Sequence, residues 1–445
     1  VKHLTSSAEA RTDTIGASTP EENGGPRIAT TGSDALPVTF AGRVVFVNRF
    51  VHPDHSATSQ ILSDLAESLA QRGWKIMLLG SWQLYDNPAA ALPGRDHWGA
   101  IEIRRTFSTR FGRANLLGRA VDYLSFYLSA FFFLLTTLRQ GDILVCKTDP
   151  PLLAVPAFLA ARLRRARRVN WLQDLFPEAA QALGEPPIPA ALGTALRWLR
   201  NRTLQAASLN VVIGERMAER VSTETGGNAR VAVVPNWAHE GVIDPIPPDR
   251  SHLRRSLGFA EKFVVAYSGN LGRAHDAELL KSMLAALASD TGIHCLFIGG
   301  GHGYKLLASA AATAGWKHVS FLPYRPLQEL GDSMAAADLH LVSLKPELEG
   351  LIVPSKFFGV AAAGRACLFV GAPHGELADL VKEADCGVVY SGSSGAELAD
   401  VVRALARDGR RVAGMGERAR ALLDGKLSRE FALSRWSECL REVAR

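Results

Sequence analysis

The stretch RVVFVNRFVHPDHSATSQILSDLAESLAQRGWKIMLLGS (residues 43–81) reads as one strand–helix–strand unit. RVVFVN (43–48) is a short, nearly unbroken apolar run, the pattern of a strand buried on both faces. Ile61, Leu62, Leu65, Leu69 and Ala70 then recur at helical spacing over roughly 57–72, and Gly73 stops the helix. KIMLLGS (75–81) is a second strand of the same kind. Two such strands joined by an amphipathic helix pair in parallel.

The alternation continues outward. DILVCK (142–147), RVNWLQD (168–174), LNVVIG (209–214) and ARVAVVP (229–235) read as strands, with helical patterns such as PLLAVPAFLAARL and 190–206 between them. A second series follows: FVVAYSG (263–269), HCLFIGG (294–300), HVSFL (318–322), LHLVSL (339–344), ACLFVG (366–371) and GVVYS (387–391). Apolar strands alternating with helices make parallel sheets covered on both faces. Twelve strands in one sheet would be unusual. The expected fold is therefore α/β, with two doubly wound Rossmann-like domains facing a cleft: residues 41–236 and 237–428. Residues 1–40 are rich in Thr, Ser, Ala and Gly, lack periodicity and an apolar signal-peptide run, and read as a disordered tail.

Composition sets the outer bounds. The chain has 445 residues, 47% apolar and 21% charged, which excludes disordered, collagen-like and multi-span membrane classes. Five scattered cysteines form no CxxC or Cys/His cluster, which argues against a zinc site or a disulfide framework and fits a reducing cytoplasm. Charge is uneven. Residues 41–236 carry 23 basic and 15 acidic groups, a net of +8, whereas 237–445 are neutral. No basic motif interleaved with aromatics appears, so no nucleic-acid partner is expected.

Five segments carry candidate chemistry. VNRFVHPDHSATSQ (47–60) is a polar loop between strand and helix, where His52, Asp54 and His55 lie at a strand's carboxyl end and Asp54, His55 and Ser56 are the acceptor-binding candidates; helix capping by Asp54 or Ser56 is the structural alternative. DYLSFYLSAFFFLLTTL (122–138) is aromatic and nearly uncharged, and Arg104, Arg105, Arg110, Arg113 and Arg119 precede it. It fits either a core helix or a docking helix at an anionic membrane. WLQDLFPE (171–178) places Asp174 after a strand, facing the cleft. AYSGNLGRAHD (266–276) and IGGGHGY (298–304) are glycine turns in successive strand–helix units. Their glycines admit close backbone approach, their amides suit a diphosphate, and Arg273 adds charge. Neither turn is a GxGxxG or a P-loop, so a dehydrogenase or P-loop NTPase is poorly supported. In LKPELEGLIVPSKFFGVAAAGRACLFVG (344–371), Pro354 suits the first position of a helix and Ser355 and Lys356 its first turn. A lysine there opposes the helix dipole unless an anion sits beside it, which points to a phosphate.

HPDHSATSQ, WLQDLFPE, VVPNW, YSGNLG, EGLIVPSK and AAAGR occur in an order that resembles family-4 glycosyltransferases of the GT-B fold, over roughly 43–442. The likeness is nearest to bacterial capsule and exopolysaccharide enzymes such as the colanic-acid glycosyltransferases. The resemblance implies retaining, metal-independent transfer from a nucleotide sugar, with no cofactor. It assigns the donor to the C-terminal domain and the acceptor to the N-terminal one, with Pro235–Asn236 beginning the crossing and the helix 429–443 packing back toward the N-terminal domain. Glu349 resembles the family's first, donor-sugar glutamate. Gly359 falls where many members place a second glutamate for the ribose. Asn270 and His275 fall near the places of a diphosphate-binding Arg and Lys, for which Arg273 and Lys356 look like substitutes. Tyr324 falls where the base is met. Gly269, Gly272, Gly300, Gly301, Gly350, Val353 and Ser355 complete the implied donor set, and Arg273, Lys356, Glu349 and Asp174 the catalytic set.

The expected function is transfer of a sugar to a lipid-linked glycan at the cytoplasmic membrane face, with the enzyme cytoplasmic and peripheral on the membrane. Two rivals share the fold. A nucleotide-sugar epimerase would use Asp54, His55 and Asp174 as cleft acids and bases. A non-catalytic nucleotide-sugar binder draws its support from Gly359.

Overall fold

Val44–Val47 (β1) is wholly buried, so both faces of this strand need cover and its edges need partners. It obtains them from Ile76–Ser81 (β2) and, further on, Ile143–Lys147 (β5), each parallel to it and in register at Val44↔Ile76 and Val44↔Ile143. In the computed structural model, which describes residues 40–445 except 88, 113–115, 185–187, 239–242 and 426, two sheets result. The expectations for residues 1–39 and for Arg113 lie outside the described residues.

The first sheet has eight strands, in the order β3-β4-β2-β1-β5-β6-β7-β8, where β3 is Arg95–Trp98, β4 Ile101–Thr106, β6 Arg167–Trp171, β7 Leu209–Val212 and β8 Val231–Val233. The second has six parallel strands, in the order β11-β10-β9-β12-β13-β14: Phe263–Asn270 (β9), Ile293–Gly300 (β10), Val319–Leu322 (β11), Leu339–Ser343 (β12), Ala366–Val370 (β13) and Gly387–Tyr390 (β14). The two doubly wound α/β domains read from the sequence are present. The hairpin β3–β4 is an addition, antiparallel and at the sheet's edge. Its outer strand, RDHW, alternates exposed and half-buried residues and is charged, as an edge that must resist further pairing tends to be.

Order reverses between β1 and β5 in the first sheet and between β9 and β12 in the second. Loops leaving such a switch point diverge and open a crevice at the strands' carboxyl ends. The 48–56 and 148–153 loops do so in one half, the 271–276 and 344–355 loops in the other.

Helix Ala57–Gln71 (α1) buries Ile61, Leu62, Leu65 and Leu69, the stripe its spacing predicts. Helix Leu116–Thr137 (α2) packs beside Ala154–Leu163 (α3) on the opposite face of the sheet. It divides lengthwise. Phe126, Ala130 and Leu134 are buried against Val45, Val47, Met77 and Leu79, whereas Val121, Leu124, Leu128 and Phe132 are 44–61% exposed. The apolar run is thus a core helix along one stripe and a bare apolar surface along another. It meets the length and composition of a membrane crossing, but its buried stripe is part of the domain core.

The final helix, Arg429–Ala444, packs into the first domain. Trp436 is fully buried there, 4.7 Å from Trp171 and 6.5 Å from Phe46 between ring centroids. One carboxylate fastens both passages of the chain between the halves: Asp64 of α1 accepts from Trp237 Nε1 at 2.6 Å, just after the first domain ends, and from Arg429 at 2.6 Å where the chain returns.

Candidate active site

The second half's site is built on two adjoining glycine turns. β9 and β10 run in register to Asn270↔Gly300, and Leu271 N then donates to Gly300 O at 2.8 Å. Gly269 has φ +117°, and Lys356 Cε lies 3.2 Å from where a Cβ would stand, so the lysine stem crosses the turn over a bare backbone. Gly301 has φ +112° and caps helix His302–Ala314; a Cβ there would strike Asn270 Oδ1 at 2.3 Å. Tyr324 is 62% exposed, and its ring edge lies 3.2 Å from a Cβ position on Gly300. Gly272 and the exposed Arg273 continue the first turn.

Lys356 begins the helix Lys356–Ala362, with Ser355 as its N-cap. Pro354 therefore precedes the cap rather than opening the helix, because the chain at Val353–Pro354 is still committed to the loop from β12. Val353 is half-buried in that loop. Lys356 Nζ lies 3.3 Å from His275 Nε2 and 5.5 Å from the Tyr267 ring centre. His275 Nδ1 is 2.5 Å from the carbonyl of Ser343. A carbonyl only accepts, so Nδ1 carries the proton and Nε2 accepts from Lys356. Burial, with Lys356 adding, pushes the His275 pKa down to about 4, and burial pushes Lys356 down to about 8. His275 was expected at the diphosphate. It is instead buried behind Lys356 and orients it.

Glu349 was expected at the donor sugar. Its Oε1 accepts from Glu376 N at 2.8 Å, at the start of helix Glu376–Glu383, and its carboxyl lies within 2.7 Å of a Cβ position on Gly375. Burial raises its pKa. Glu376 repeats the motif across the two halves: its Oε2 accepts from Arg216 N at 3.0 Å, at the start of helix Glu215–Glu224. Arg216 in turn pairs with Asp379 at 2.9 Å, and Gly350 sits 3.3 Å (as a Cβ position) from Arg216 O. Two carboxylates, each on a helix N-terminus where negative charge is favoured, thus link the 344–355 loop to the first half. Sequence reading missed Arg216 and Glu376. The visible signal was a Gly-Glu pair opening a helix in each half, Gly214–Glu215 and Gly375–Glu376.

Asp174 reaches the same junction by its backbone. It forms a β-bridge with Ile352, and Leu175 N donates to Leu351 O at 3.0 Å. The residue is half-buried. It lines a small pocket of about 30 Å³ with Lys147, Thr148, Asn170 and Arg200; Thr148 hydrogen-bonds the carboxyl, and Oδ1 is buried without a partner. Burial, with Asp149 adding, pushes its pKa up to about 6. Lys147 beside it is fully buried, donates to Thr58 O at 2.9 Å and lies 3.7 Å over the Trp171 ring; burial lowers its pKa well below the usual lysine range.

In the loop after β1, Asp54 is 5% exposed and spent on the protein itself. It accepts from Ser56 N at 2.8 Å, from the Ser56 hydroxyl and from Tyr85 N at 2.6 Å. Neither residue caps the helix through its side chain: Ser56 stands at the N-cap without a side-chain cap hydrogen bond, and Asp54 closes the loop ahead of it, while His55 is exposed. His52 stacks flat on Trp98 at 4.1 Å, a contact that needed the unforeseen hairpin. Arg49 and Asp122 form a buried pair at 3.2 Å that ties this loop to α2. Gly359 faces Ile243 and Met334, both apolar. Among the described residues no group of three or more His, Cys, Asp or Glu could hold a metal ion.

Comparison with known proteins agrees with this architecture. A family model described as "Glycosyl transferase 4-like domain" matches residues 57–237, and "Glycosyl transferases group 1" matches 249–422. The probable glycosyltransferase WbjE of Pseudomonas aeruginosa is 26% identical over 343 residues, 75% of this chain and 84% of the relative. A sucrose-phosphate synthase from Thermosynechococcus elongatus superposes with a TM-score of 0.72 at 13% identity, covering 90% of this chain and 99% of the other. HepE of Anabaena, solved with UDP-glucose, gives 0.64 at 18% identity, with coverage of 90% and 99%. Two group-specific matches laid end to end on two facing Rossmann-like sheets make this chain a glycosyltransferase of group 1, family 4, built on the GT-B fold.

Proposed function

We propose that the enzyme is a retaining, metal-independent transferase that moves a hexose from a nucleoside-diphosphate sugar to a lipid-linked glycan in bacterial cell-surface polysaccharide assembly, at the cytoplasmic membrane face. The observation that carries the donor half is Lys356, laid across Gly269 and hydrogen-bonded to His275 beside two adjoining glycine turns. In transfer, the bond from the sugar's anomeric carbon to the diphosphate oxygen breaks and a bond to the acceptor oxygen forms. The acceptor's proton passes to the departing diphosphate. Negative charge grows on that leaving group, and fixed cations and amides stabilise it without reorganising. Lys356 and Arg273 supply the cations, and the turns at Gly269–Gly272 and Gly300–Gly301 the amides; Tyr324 supplies a platform for the base. Glu349, held by the Glu376 amide, presents its remaining acceptor capacity to the sugar hydroxyls, and Gly350, Val353 and Ser355 shape the loop around it. HepE, solved with UDP-glucose, supports a nucleotide of this class.

The lipid-linked acceptor rests on α2, whose bare apolar stripe begins beside the acceptor loop through the Arg49–Asp122 pair. The test is a thermal-shift screen against UDP, GDP, ADP and their sugars, with and without magnesium. A ligand at ~100 times its Kd stabilises by ~2.7 kcal/mol. Stabilisation by one nucleotide, indifferent to magnesium, is expected. A shift only with magnesium would overturn the metal-independent step, and a nucleotide sugar isomerised without acceptor would overturn transfer.

A further inference from the structure

At the far end of α2 from the cleft lies a cavity of about 460 Å³ that the transfer reaction does not use. Arg43, Arg95, Arg104, Arg139 and Arg164 line it, against one carboxylate, Glu102. Two of the five are neutralised locally: Arg43 pairs with the buried Asp142 at 2.7 Å, and Arg104 with Glu102 at 2.5 Å. Among the described residues, the side chains of Arg95 and Arg139 take part in no ion pair, and both are exposed. The volume is that of a small-ligand site, and its chemistry is that of a phosphate.

The surroundings identify where that phosphate comes from. The exposed stripe Val121, Leu124, Leu128, Phe132 advances by three or four residues at each step, and its next member, Thr136, lines the cavity. On the neighbouring helix, Leu159 and Leu163 are 52% and 59% exposed, and Arg164, immediately after Leu163, is again a cavity residue. Arg162 and Arg165 stand exposed on either side. Two apolar stripes therefore run side by side into one arginine-lined mouth. Apolar side chains flanked by cations fit the boundary between acyl chains and anionic headgroups.

We infer that the Arg95–Arg139 cavity takes the phosphate of an anionic membrane lipid, with the exposed stripes of α2 and α3 seated in the bilayer surface around it. This rests on the membrane placement proposed above and gives it a specific lipid-reading site. α2 lies along the bilayer over a length of ~33 Å, at 1.5 Å per residue. Its other end, tied to Arg49, then brings the acceptor loop to the interface where a lipid-linked substrate is anchored.

The test is flotation of the full chain with vesicles of phosphatidylcholine, alone or with about one quarter phosphatidylglycerol. Each arginine near an anionic surface is worth roughly fivefold in binding, so Arg95→Gln with Arg139→Gln is expected to weaken binding to the mixed vesicles ~25-fold and to leave phosphatidylcholine binding unchanged. Leu128→Ser with Phe132→Ser is expected to weaken both. Unaltered binding of the arginine variant to the mixed vesicles would overturn the site. Equal wild-type binding to both vesicle types would do the same. Inorganic phosphate that stabilises the wild type but not the arginine variant, without vesicles, would show a free phosphate to be the ligand and overturn the lipid assignment. Nucleotide-induced thermal stabilisation, read in the same variants, confirms that they fold. Its absence in the wild type would strike the donor reading alone.

Discussion

The two halves share a fold and differ in what their cleft ends keep for themselves. In the first half, the polar groups above the sheet are largely spent on one another: Asp54 on Ser56 and Tyr85, Lys147 on Thr58, Arg49 on Asp122. In the second half, the strands end in glycine turns, and Lys356 meets only a neutral histidine and the face of Tyr267, with no carboxylate beside it among the described residues. A buried cation with so little compensation is a cost that binding an anion removes. The lesson is that the second half's cleft end is built as an incomplete site and the first half's as a finished scaffold.

The largest expected effect probes the scaffold. Trp436→Ala should cost ~3–5 kcal/mol of stability, because a fully buried Trp leaves a cavity between Trp171 and Phe46. Limited proteolysis should then open 41–236 before 263–423; simultaneous cleavage would erase the contrast between the halves. Next is the incomplete site itself. Lys356→Ala should lower turnover at least ~30-fold, the low end of the ~2–4 kcal/mol lost when one charge-stabilising donor is removed. Near-normal turnover in the folded variant would end its assignment to the leaving group.

The third effect is one of pH. Lys356 titrates near 8 in the free protein against 10.5 when unfolded. Between those values the unfolded chain holds the extra proton, so this group's contribution to stability rises with pH across that window. Nucleotide binding should move the opposite way and fall above pH ~8, by up to ~1.4 kcal/mol per pH unit, in a titration of Kd. Flat nucleotide affinity from pH 7 to about 9.5 would show that the anion does not meet this lysine.

Asp174 is the exception within the scaffold, a carboxyl with one oxygen buried and unpartnered. The native state keeps its proton up to about 6, whereas the unfolded chain releases it near 3.8. The native state thus holds more protons in that interval, and its stability falls as pH rises through it. Asp174→Asn should therefore be more stable than wild type at pH 7.5 by ~1–2 kcal/mol and equal to it near pH 4, by denaturant midpoints. A loss of turnover alongside that gain would mark Asp174 as kept for the reaction. The smallest effect belongs to the junction. Glu376→Gln keeps an acceptor but removes the charge over the Arg216 amide, so the donor KM should rise by no more than ~5-fold, the ~1 kcal/mol of a helix-terminus charge.

What the sequence disclosed follows from how local each feature is. The parallel strands were legible because burial on both faces writes an apolar run into four to eight consecutive residues. β3, RDHW, was not, because an edge strand exposed to water writes no such run. The glycine turns were legible because a positive φ and a close-lying lysine restrict the residue type. Asp54 had the right residue type for either acceptor binding or capping, and its bond to Tyr85 N, 31 residues away, makes it a loop-closing residue instead. The Glu376–Arg216 contact joins residues 160 apart, so no window of sequence contains it.

The closing helix has a consequence for how the protein is made. The first domain's strands are all synthesised by residue 233, yet the tryptophan that fills the core between Phe46 and Trp171 arrives at residue 436. At ribosomal speeds of ~5–20 residues per second, the gap is roughly 10–40 s. During that time the second domain can fold while the first still shows an uncovered apolar groove. The order of completion in the cell is then the reverse of the order in the chain, and the nascent first domain is the species that a chaperone would meet.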